Sequence, residues 1–336
     1  MTDDRTQSSQ GESGGPELGR TAGGGGAANA VQEHANPVAG VFDGVDAVPG
    51  SKKPDPILVI NDVSKSFGGL MAVNVEHLEV QRGAITALIG PNGAGKTTFF
   101  NLLTGFDKPN SGRVEMDGAL VSGVPPYRLA NEGMVRTFQL TKALSRMTVI
   151  DNMKLGAQGQ VGENFWKALL PIWGNQEDEI ERRADALLDR FNLSHMRDEF
   201  AGTMSGGQRK LVEMARALMT EPRIVMLDEP MAGVNPALTQ SLLGHVKGLR
   251  AEGRTVIFVE HDMDVVQDIS DWVVVMAEGA IIAEGTPDDI AANQDVIDAY
   301  LGSHTDSDFF DEIEDGDSPP TPPNLEVPGE GEGTTS

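Results

Sequence analysis

One short motif constrains the fold of this chain more than any other feature. It fits the pattern G-x-x-x-x-G-K-[ST], follows the apolar run from Ala84 to Ile89 and opens a helical pattern that runs to Leu103. In a loop between a buried strand and a helix, glycines let backbone N–H groups curl around a polyphosphate, and the helix start adds partial positive charge. The motif comprises Gly90, Pro91, Asn92, Gly93, Ala94, Gly95, Lys96 and Thr97. The sequence therefore predicts an α/β domain with a phosphate-binding loop.

Strand and helix patterns alternate through residues 56–302, as an α/β core requires. Residues 225–227 and 256–259 are continuous apolar runs, which indicates parallel central strands that are buried on both faces. Residues 180–191 carry apolar side chains at helical spacing. The span from about 140 to 203 shows helical patterns with no strand between them, which predicts an inserted helical subdomain.

Two adjacent carboxylates, Asp228 and Glu229, end the apolar strand pattern of residues 224–227. The carboxyl ends of parallel strands share one edge of a sheet, so we expect this pair to face the phosphate-binding loop. There Asp228 would hold Mg²⁺ through its water shell, and Glu229 would polarise an attacking water. A lone Asp-Glu pair is by default a solvated strand end, but the phosphate-binding loop favours the catalytic interpretation.

A second anion site is predicted at the sequence Ser205, Gly206, Gly207 and Gln208, which precedes an amphipathic helix over residues 209–219. A serine cap followed by glycines exposes backbone N–H groups at a helix start. The alternative is a simple N-cap with no ligand. Because the chain has two such helix starts and one phosphate-binding loop, we expect the second to serve the nucleotide of another subunit.

Three further residues gain meaning only from their positions. His261 directly follows the buried strand pattern that ends at Glu260, on the edge expected to carry the chemistry. Gln139 follows a short strand pattern, and Phe67 precedes two glycines after the first strand. A glutamine after a strand is a weak signal, and Phe67 taken alone is a core or turn aromatic. A lone histidine is usually structural, but the position of His261 favours a functional role.

The order of these elements resembles that of the ATP-binding cassette (ABC) ATPases. The motif at 90–97, Gln139, residues 205–208, the carboxylate pair and His261 follow one another at that family's spacing, within residues 57–302. The resemblance implies an α/β P-loop NTPase core with an antiparallel β subdomain and an inserted helical subdomain. It also implies ATP and Mg²⁺ as cofactors and ATP hydrolysis as the activity.

The resemblance assigns roles that spacing alone does not provide. Phe67 would stack on adenine, Thr98 would join the loop in binding ATP, and residues 205–208 would bind ATP held by the opposite subunit. Gln139 would link the γ-phosphate to membrane subunits. The residues expected to act in catalysis are Glu229, His261 and Gln139. The expected magnesium ligands are Thr97, Gln139 and Asp228.

Within that family, the chain is most similar to the ATP-binding subunits of branched-chain (hydrophobic) amino-acid importers. The similarity rests on short sequences at 67–70, 201–203, 228–236, 259–263, 269–271 and 299–302. Gly206 stands where these importers often carry tyrosine, and Asn235 replaces an aspartate of ABC ATPases at large, as it often does in this group. The implied function is ATP hydrolysis that powers an importer of branched-chain amino acids or related small solutes.

The implied partners are a second ATPase subunit, identical or different, transmembrane permease subunits and, indirectly, an extracytoplasmic solute-binding protein. The permease would dock near Gln139 and residues 140–170, with this chain peripheral on the cytoplasmic face of the cell membrane. One alternative is the ABC ATPase of a lipid or polysaccharide exporter. Another is a soluble, non-transport ABC ATPase of DNA repair or translation, which the lack of a long coiled coil and of a second cassette disfavours.

The two ends of the chain differ from the ATPase domain, 56–302, in composition. Residues 1–55 are rich in Gly, Ala, Ser and Pro, and residues 303–336 carry 10 acidic and no basic side chains. Neither segment has enough apolar surface to offset its ordering entropy. Both are therefore predicted to be disordered tails.

The formal net charge of -25 disfavours nucleic-acid binding, because such a field repels a phosphate backbone. Residues 56–302 still hold 33 acidic against 22 basic side chains. This excess predicts a protein that works in concentrated salt, as in a halophile; the alternative is acidic tails on an ordinary enzyme. The chain has no cysteine, which excludes disulfides and thiol chemistry. Its apolar runs are far shorter than the roughly 20 residues that span a bilayer, so we expect no membrane-spanning segment.

Overall fold

The computed structural model describes residues 36–137, 144–157 and 173–302, which form two sheets with surrounding helices. The strands are β1 Pro56–Phe67, β2 Leu70–Gln81, β3 Ile85–Ile89, β4 Ser111–Met116, β5 Ala119–Leu120, β6 Met134–Arg136, β7 Ile224–Asp228, β8 Thr255–Val259, β9 Trp272–Ala277 and β10 Ala280–Gly285. The helices are α1 Lys96–Leu103, α2 Pro126–Asn131, α3 Val149–Lys154, α4 Trp173–Arg190, α5 Gly206–Leu218, α6 Pro236–Ala251, α7 Met263–Ile269, α8 Pro287–Ala291 and α9 Gln294–Gly302. The predicted α/β class is confirmed.

The larger sheet carries the phosphate-binding loop. Its strand order is β10-β9-β3-β8-β7-β6, in which neighbours are parallel except for β10, which is antiparallel to β9. Alternate residues of one strand enter different cores. Val225 and Leu227 pack with the helices, whereas Ile224 and Met226 pack with residues of the smaller sheet. Burial on both faces explains why these strands are continuously apolar.

The smaller sheet is antiparallel, with the order β2-β1-β4-β5, and matches the β subdomain that the resemblance implied. Its core includes Phe99 and Phe100 of α1, both fully buried. The turn between β9 and β10 reaches β2, because the Asn74 N–H donates to the Gly279 carbonyl at 2.7 Å. Leu88 and Val274 of the larger sheet belong to the same core, so α1 packs against both sheets.

The predicted helical subdomain contains α3 and α4, which pack with α5 in one core. Ala184 and Leu188 of α4 and Phe191 just beyond it are buried, which confirms the apolar face predicted for residues 180–191. An isolated antiparallel bridge between Thr148 and Phe200 joins the start of this segment to its end. Among the residues that the structure describes, no helix combines the length and apolar character that crossing a membrane requires.

The predicted end of the N-terminal tail at residue 55 is wrong, because residues 36–55 pack on the domain. The ring of Phe42 stacks on Trp272 with centroids 4.8 Å apart. The Lys53 ammonium lies 3.0 Å from the Glu284 carboxylate, and both side chains are buried. The segment is polar on average, but these few anchors offset its ordering entropy. The rest of the predicted tails, 1–35 and 303–336, lies outside the described residues.

Candidate nucleotide-binding site

The phosphate-binding loop runs from the end of β3 to the start of α1. Gly90 and Gly95 have φ angles of 144° and 98°, which disfavour any side chain. A Cβ at Gly90 would lie 2.0 Å from the carbonyl oxygen of Met276, and one at Gly95 would lie 2.3 Å from that of Ala72. The loop is therefore pressed against the backbone of β9 and β2, which fixes its shape before any ligand binds.

The helix start that follows the loop is open to an anion. Gly95 is the N-cap of α1 and provides no side-chain hydrogen bond to the first turn. Thr97 is exposed and Thr98 is half-buried. The Lys96 ammonium donates to the Pro91 carbonyl at 3.0 Å and to the carbonyl at position 90, so it folds back over the loop. The positive end of the helix and this cation together favour a bound polyphosphate.

Adjacent strand ends bring the predicted catalytic side chains to the edge that carries this loop. Strands β3, β8 and β7 are neighbours and parallel, so their carboxyl ends lie side by side. The loop follows β3, His261 lies just beyond the end of β8, and Asp228 ends β7 with Glu229 directly after it. Groups that are far apart along the chain therefore share one edge of the sheet.

Asp228 is buried and forms an ion pair with Arg136, the last residue of the neighbouring strand β6. Arg136 Nη2 lies 2.6 Å from Asp228 Oδ2, and the two side chains are 6% and 8% exposed. Arg136 Nη1 also donates to Asn101 Oδ1 at 2.6 Å and to Thr104 Oγ1 at 3.3 Å. The guanidinium thus ties the predicted magnesium ligand to the helix that follows the phosphate-binding loop.

Glu229 has a left-handed backbone conformation, with φ of 44°. Such a residue other than glycine is uncommon and costs of order 1–3 kcal/mol. Its N–H donates to the Val259 carbonyl of β8 at 3.0 Å, which helps to hold the strained peptide. Strain of this kind collects at functional sites, so it supports the role expected of this carboxylate.

The second predicted anion site is a helix start with a complete capping box. Ser205 Oγ accepts a hydrogen bond from the Gln208 N–H at 3.2 Å, and Gln208 Oε1 accepts one from the Ser205 N–H at 2.9 Å. A Cβ at Gly207 would lie 2.0 Å from Leu238 Cδ2, so the first turn of α5 packs on α6. Ser205 and Gly206 remain exposed. The N-cap interpretation therefore describes this subunit, and contact with another subunit's nucleotide stays a prediction.

The remaining predicted site residues differ in what the structure shows. Phe67 is 52% exposed at the hairpin between β1 and β2, with Lys65 Nζ 4.9 Å from its ring centroid. His261 is exposed, with Nδ1 3.9 Å from a Glu260 carboxylate oxygen. Both rings are accessible to a ligand. Gln139 lies outside the described residues.

Comparisons with known proteins agree with this arrangement. Residues 73–232 match a family model described as ABC transporter, and residues 280–306 match one described as branched-chain amino acid ATP-binding cassette transporter. The high-affinity branched-chain amino acid transport ATP-binding protein BraF of Pseudomonas aeruginosa is 43% identical over 250 residues, which cover 74% of this chain and 98% of that protein. The chain belongs to the ABC transporter ATP-binding proteins. It is therefore an ATPase of the cassette type.

Further relatives match the cassette over nearly their whole length. The high-affinity branched-chain amino acid transport ATP-binding protein LivG of Escherichia coli K12 is 41% identical, with 74% of this chain and 98% of that protein covered. A solved nucleotide-free ATP-binding cassette from an ABC transporter has 36% identity and a TM-score of 0.63, covering 73% of this chain and 98% of its own. The ADP conformation of such a cassette has 37% identity and a TM-score of 0.64, covering 74% of this chain and 99% of its own.

Sequence reasoning missed two cations that bind residues of the candidate site. Arg136 pairs with Asp228, and Lys210 binds the carbonyl groups of the loop that begins at Glu229. The position of Arg136 offered a signal, because it ends a strand pattern just before Gln139. Lys210 offered none, because a lysine in the second turn of an amphipathic helix is usually solvated.

Proposed function

We propose that this cassette hydrolyses ATP to power an importer of branched-chain amino acids or related small solutes. The observation that carries the proposal is the match to 98% of the length of BraF, whose name states that transport activity. Residues 280–306 support the same solute class, because they match a family model specific to branched-chain amino acid cassettes. The shared sheet edge of the phosphate-binding loop, Asp228 and Glu229 supports the hydrolytic activity.

ATP fits the loop and the neighbouring hairpin. The start of α1 presents its positive end to the phosphates, and the glycines let the backbone approach them closely. Lys96, which folds back over the loop, would neutralise charge on the β- and γ-phosphates. The exposed ring of Phe67 would stack on adenine, with Lys65 close to the same ring.

Mg²⁺ fits the oxygen donors at this edge. Thr97 and Asp228 would hold it, with Gln139 as a further ligand. Hydroxyl and carboxylate oxygens suit this ion, which usually takes one or two carboxylates together with substrate phosphates. Asp228 uses one carboxylate oxygen for Arg136 and keeps a second one for the ion's water shell. When bound, Mg²⁺ would neutralise part of the phosphate charge.

Glu229 directly follows β7, at the sheet edge that carries the phosphate-binding loop. Its carboxylate would polarise the attacking water and accept the proton of that water. The hydrogen bond from its N–H to Val259 fixes the peptide relative to β8. His261, at the end of that strand, would contact the γ-phosphate. Gln139 would also contact the γ-phosphate and so link the presence of this phosphate to the conformation of the permease.

A second ATPase subunit, identical or different, would complete each nucleotide site. The exposed Ser205 and Gly206 on one chain would contact ATP bound to the phosphate-binding loop of the other. Closing around ATP would bring the two chains together head to tail, and hydrolysis would separate them. The capping box between Ser205 and Gln208 would keep the helix start in shape for that contact.

Permease subunits would dock in a groove of about 360 Å³ between the larger sheet and the helical segment. The residues that line the groove include Phe106, Tyr127 and Leu155, each of which is at least half exposed. Exposed aromatic and aliphatic side chains suit the apolar face of a helix from a membrane subunit. Thr137 also lines the groove, so the segment that leads to Gln139 borders the docking site.

This docking would place the cassette at the cytoplasmic face of the cell membrane as a peripheral subunit, with a solute-binding protein acting on the other side. We further propose that it works in concentrated salt, as in a halophile. The acidic excess of residues 56–302, 33 acidic against 22 basic side chains, supports this. Molar salt would screen the repulsion among these carboxylates.

The test is to co-purify the full chain with candidate permease subunits of the same genome and to reconstitute them in vesicles with the solute-binding protein. ATPase rates would be measured with leucine, isoleucine and valine, and separately with urea, amides and aromatic acids. Stimulation by the branched-chain amino acids is the expected result. Stimulation only by a lipid or polysaccharide precursor would support an exporter instead, and activity without any membrane partner would support a non-transport ATPase.

A further inference from the structure

Lys210 lies in the second turn of α5, and its ammonium reaches the loop that follows β7. Its Nζ donates to the carbonyl oxygens of Pro230 at 3.1 Å and Glu229 at 3.3 Å, and also to that of Ala232. An ammonium group has three donors. The loop from Glu229 to Ala232 therefore accepts three bonds from one half-buried cation.

The other side of this loop is held by a buried carboxylate. Glu260, which directly follows β8, is 1% exposed and accepts a hydrogen bond from the Met231 N–H at 3.0 Å. The carbonyl groups of the loop thus face a cation, while an N–H in its middle faces an anion. This arrangement leaves the backbone of the loop little freedom.

Burial of the Lys210 ammonium and the Glu260 carboxylate has a desolvation cost. Burial lowers the pKa of the Lys210 ammonium, and attraction to Glu260, Glu213 and Glu229 opposes that shift. Burial also raises the pKa of the Glu260 carboxyl, and the hydrogen bond from Met231 opposes it. Partly buried charges of this kind are retained where polar partners compensate them. The partners here are the backbone groups of the loop.

One of the carbonyl groups that Lys210 binds belongs to Glu229, whose backbone is strained. Glu229 has φ of 44°, a left-handed conformation that is unfavourable for a residue with a side chain. Proline at position 230 further restricts the backbone angles of the residue before it. The conformation of Glu229 therefore depends on external bonds, which Lys210 supplies at its carbonyl and Val259 at its N–H.

We propose that Lys210 is a positioning residue for ATP hydrolysis: it holds the Glu229 peptide and so aims the carboxylate at the attacking water. The inference rests on the proposed function, in which Glu229 polarises that water. Lys210 shares α5 with Ser205, its N-cap, which would contact the nucleotide of the second subunit. A shift of α5 when two cassettes close would therefore be transmitted to the Glu229 loop of the same chain.

The experiment compares full-length Lys210→Met, Lys210→Gln and Lys210→Arg with the unaltered chain. Methionine keeps the length of the side chain and removes its donors, whereas glutamine and arginine keep donors. The matched control is Lys247→Met, which removes a half-buried lysine of α6 that pairs with Asp268 on α7. The measurements are kcat, KM, ATP affinity by titration, thermal stability and amide hydrogen exchange at residues 229–234.

Lys210→Met should lower kcat about 10- to 100-fold, because misplacing a catalytic group by about 1 Å can cost 100-fold in rate. ATP affinity should change little, since Lys210 does not touch the phosphate-binding loop. Lys210→Arg should retain most of kcat, Lys210→Gln should be intermediate, and exchange in the loop should rise in step with the loss. A combined drop in kcat and ATP affinity, or equal losses for Lys247→Met, would mean a general structural role and would overturn the proposal.

Lys210→Gln and a double variant with Glu229→Gln test the same proposal in two further ways. If Lys210→Met does not fold, Lys210→Gln decides, and a wild-type kcat in a folded Lys210→Gln chain overturns the proposal. In a Glu229→Gln background, single-turnover rates should show little further effect of Lys210→Met; multiplying effects would show that Lys210 acts elsewhere. A wild-type rate for Glu229→Gln would instead refute the proposed role of Glu229 itself, whatever Lys210 does.

Discussion

Arg136 Nη2 and Asp228 Oδ2 lie 2.6 Å apart in a buried ion pair that joins the ends of β6 and β7. The pair connects the predicted magnesium ligand to the segment that leads to Gln139. The same guanidinium binds Asn101 and Thr104, so it also reaches the helix behind the phosphate-binding loop. One cation thus joins three parts of the candidate site.

Arg136→Met should destabilise the protein by about 3–5 kcal/mol, because it leaves the Asp228 carboxylate buried without its cation. Urea unfolding measures the loss. The control is Arg113→Met, whose guanidinium is 62% exposed and pairs with Glu115 at 3.1 Å; an exposed pair contributes about 0–1 kcal/mol. Equal stability of the two variants would show that the buried pair is not needed in the folded state.

Glu229→Gln should bind ATP and stay in a closed pair of cassettes, with hydrolysis reduced by about 10²- to 10⁴-fold through loss of the proton acceptor. Size-exclusion chromatography with ATP and an ATPase assay measure both effects. Glu221→Gln is the matched control, because Glu221 is a second left-handed glutamate, φ 50°, just before β7 begins. Hydrolysis at the normal rate in Glu229→Gln would remove Glu229 from the mechanism.

Ser205→Arg should abolish ATP turnover and leave nucleotide binding by the single chain nearly unchanged, since a bulky cation would block contact with the second subunit. Ser205→Ala separates this from the loss of the helix cap, which costs about 0.5–2 kcal/mol. Alanine should therefore lower stability slightly and retain part of the turnover. A large drop in ATP affinity of the isolated Ser205→Arg chain would show that Ser205 serves its own site.

Lys53→Met should destabilise the protein by about 3–5 kcal/mol, because it leaves Glu284 buried with an uncompensated charge. Glu284 also accepts hydrogen bonds from the Ser51 N–H and from Trp272 Nε1, both at 2.9 Å. Adding Glu284→Gln should recover part of the loss, since it removes the buried charge; the single amide oxygen can accept only one of these two bonds, which glutamate accepts with different carboxylate oxygens. Lys52→Met, at the exposed neighbouring position, is the control and should have little effect.

Thermal stability and ATPase rate should rise from dilute buffer to molar KCl, because the screening length falls from about 30 Å at 0.01 M to about 3 Å at 1 M. The comparison uses the full chain and the fragment 36–302, which retains the Lys53 anchor. The fragment should show the same salt dependence. If the fragment is as stable and active in dilute buffer as in molar KCl, the salt dependence comes from the acidic chain ends and the proposal of halophily fails.

Local patterns in the sequence were enough to predict the elements that carry the site. The helix predicted from Lys96 to Leu103 has those bounds in the structure, because a glycine-rich loop and an apolar helix face are local signals. The apolar runs of β7 and β8 were recognisable since burial on both faces removes alternation. The serine cap predicted at Ser205 is likewise a local signal, and the structure adds a reciprocal hydrogen bond from the Ser205 N–H to the Gln208 side chain that completes a capping box.

Contacts between distant residues decided the rest. Lys53 reaches Glu284, Arg136 reaches Asp228, and in the sequence each of these looks like an ordinary charged residue. Composition indicated a tail up to residue 55, because an average over polar residues does not register a few anchored side chains.

The sequence by itself determined the class of the fold and the sheet edge shared by the phosphate-binding loop, Asp228, Glu229 and His261, since periodicity and motif spacing act over short stretches. Only the tertiary structure decided how those side chains are held. Lys210 and Glu260 both form hydrogen bonds with the backbone of the loop after β7. Each lies about 20 to 30 residues from that loop in the sequence, a distance over which no local pattern predicts a contact. The physical reason is that the worth of a buried charge depends on the partners that folding brings within hydrogen-bond distance.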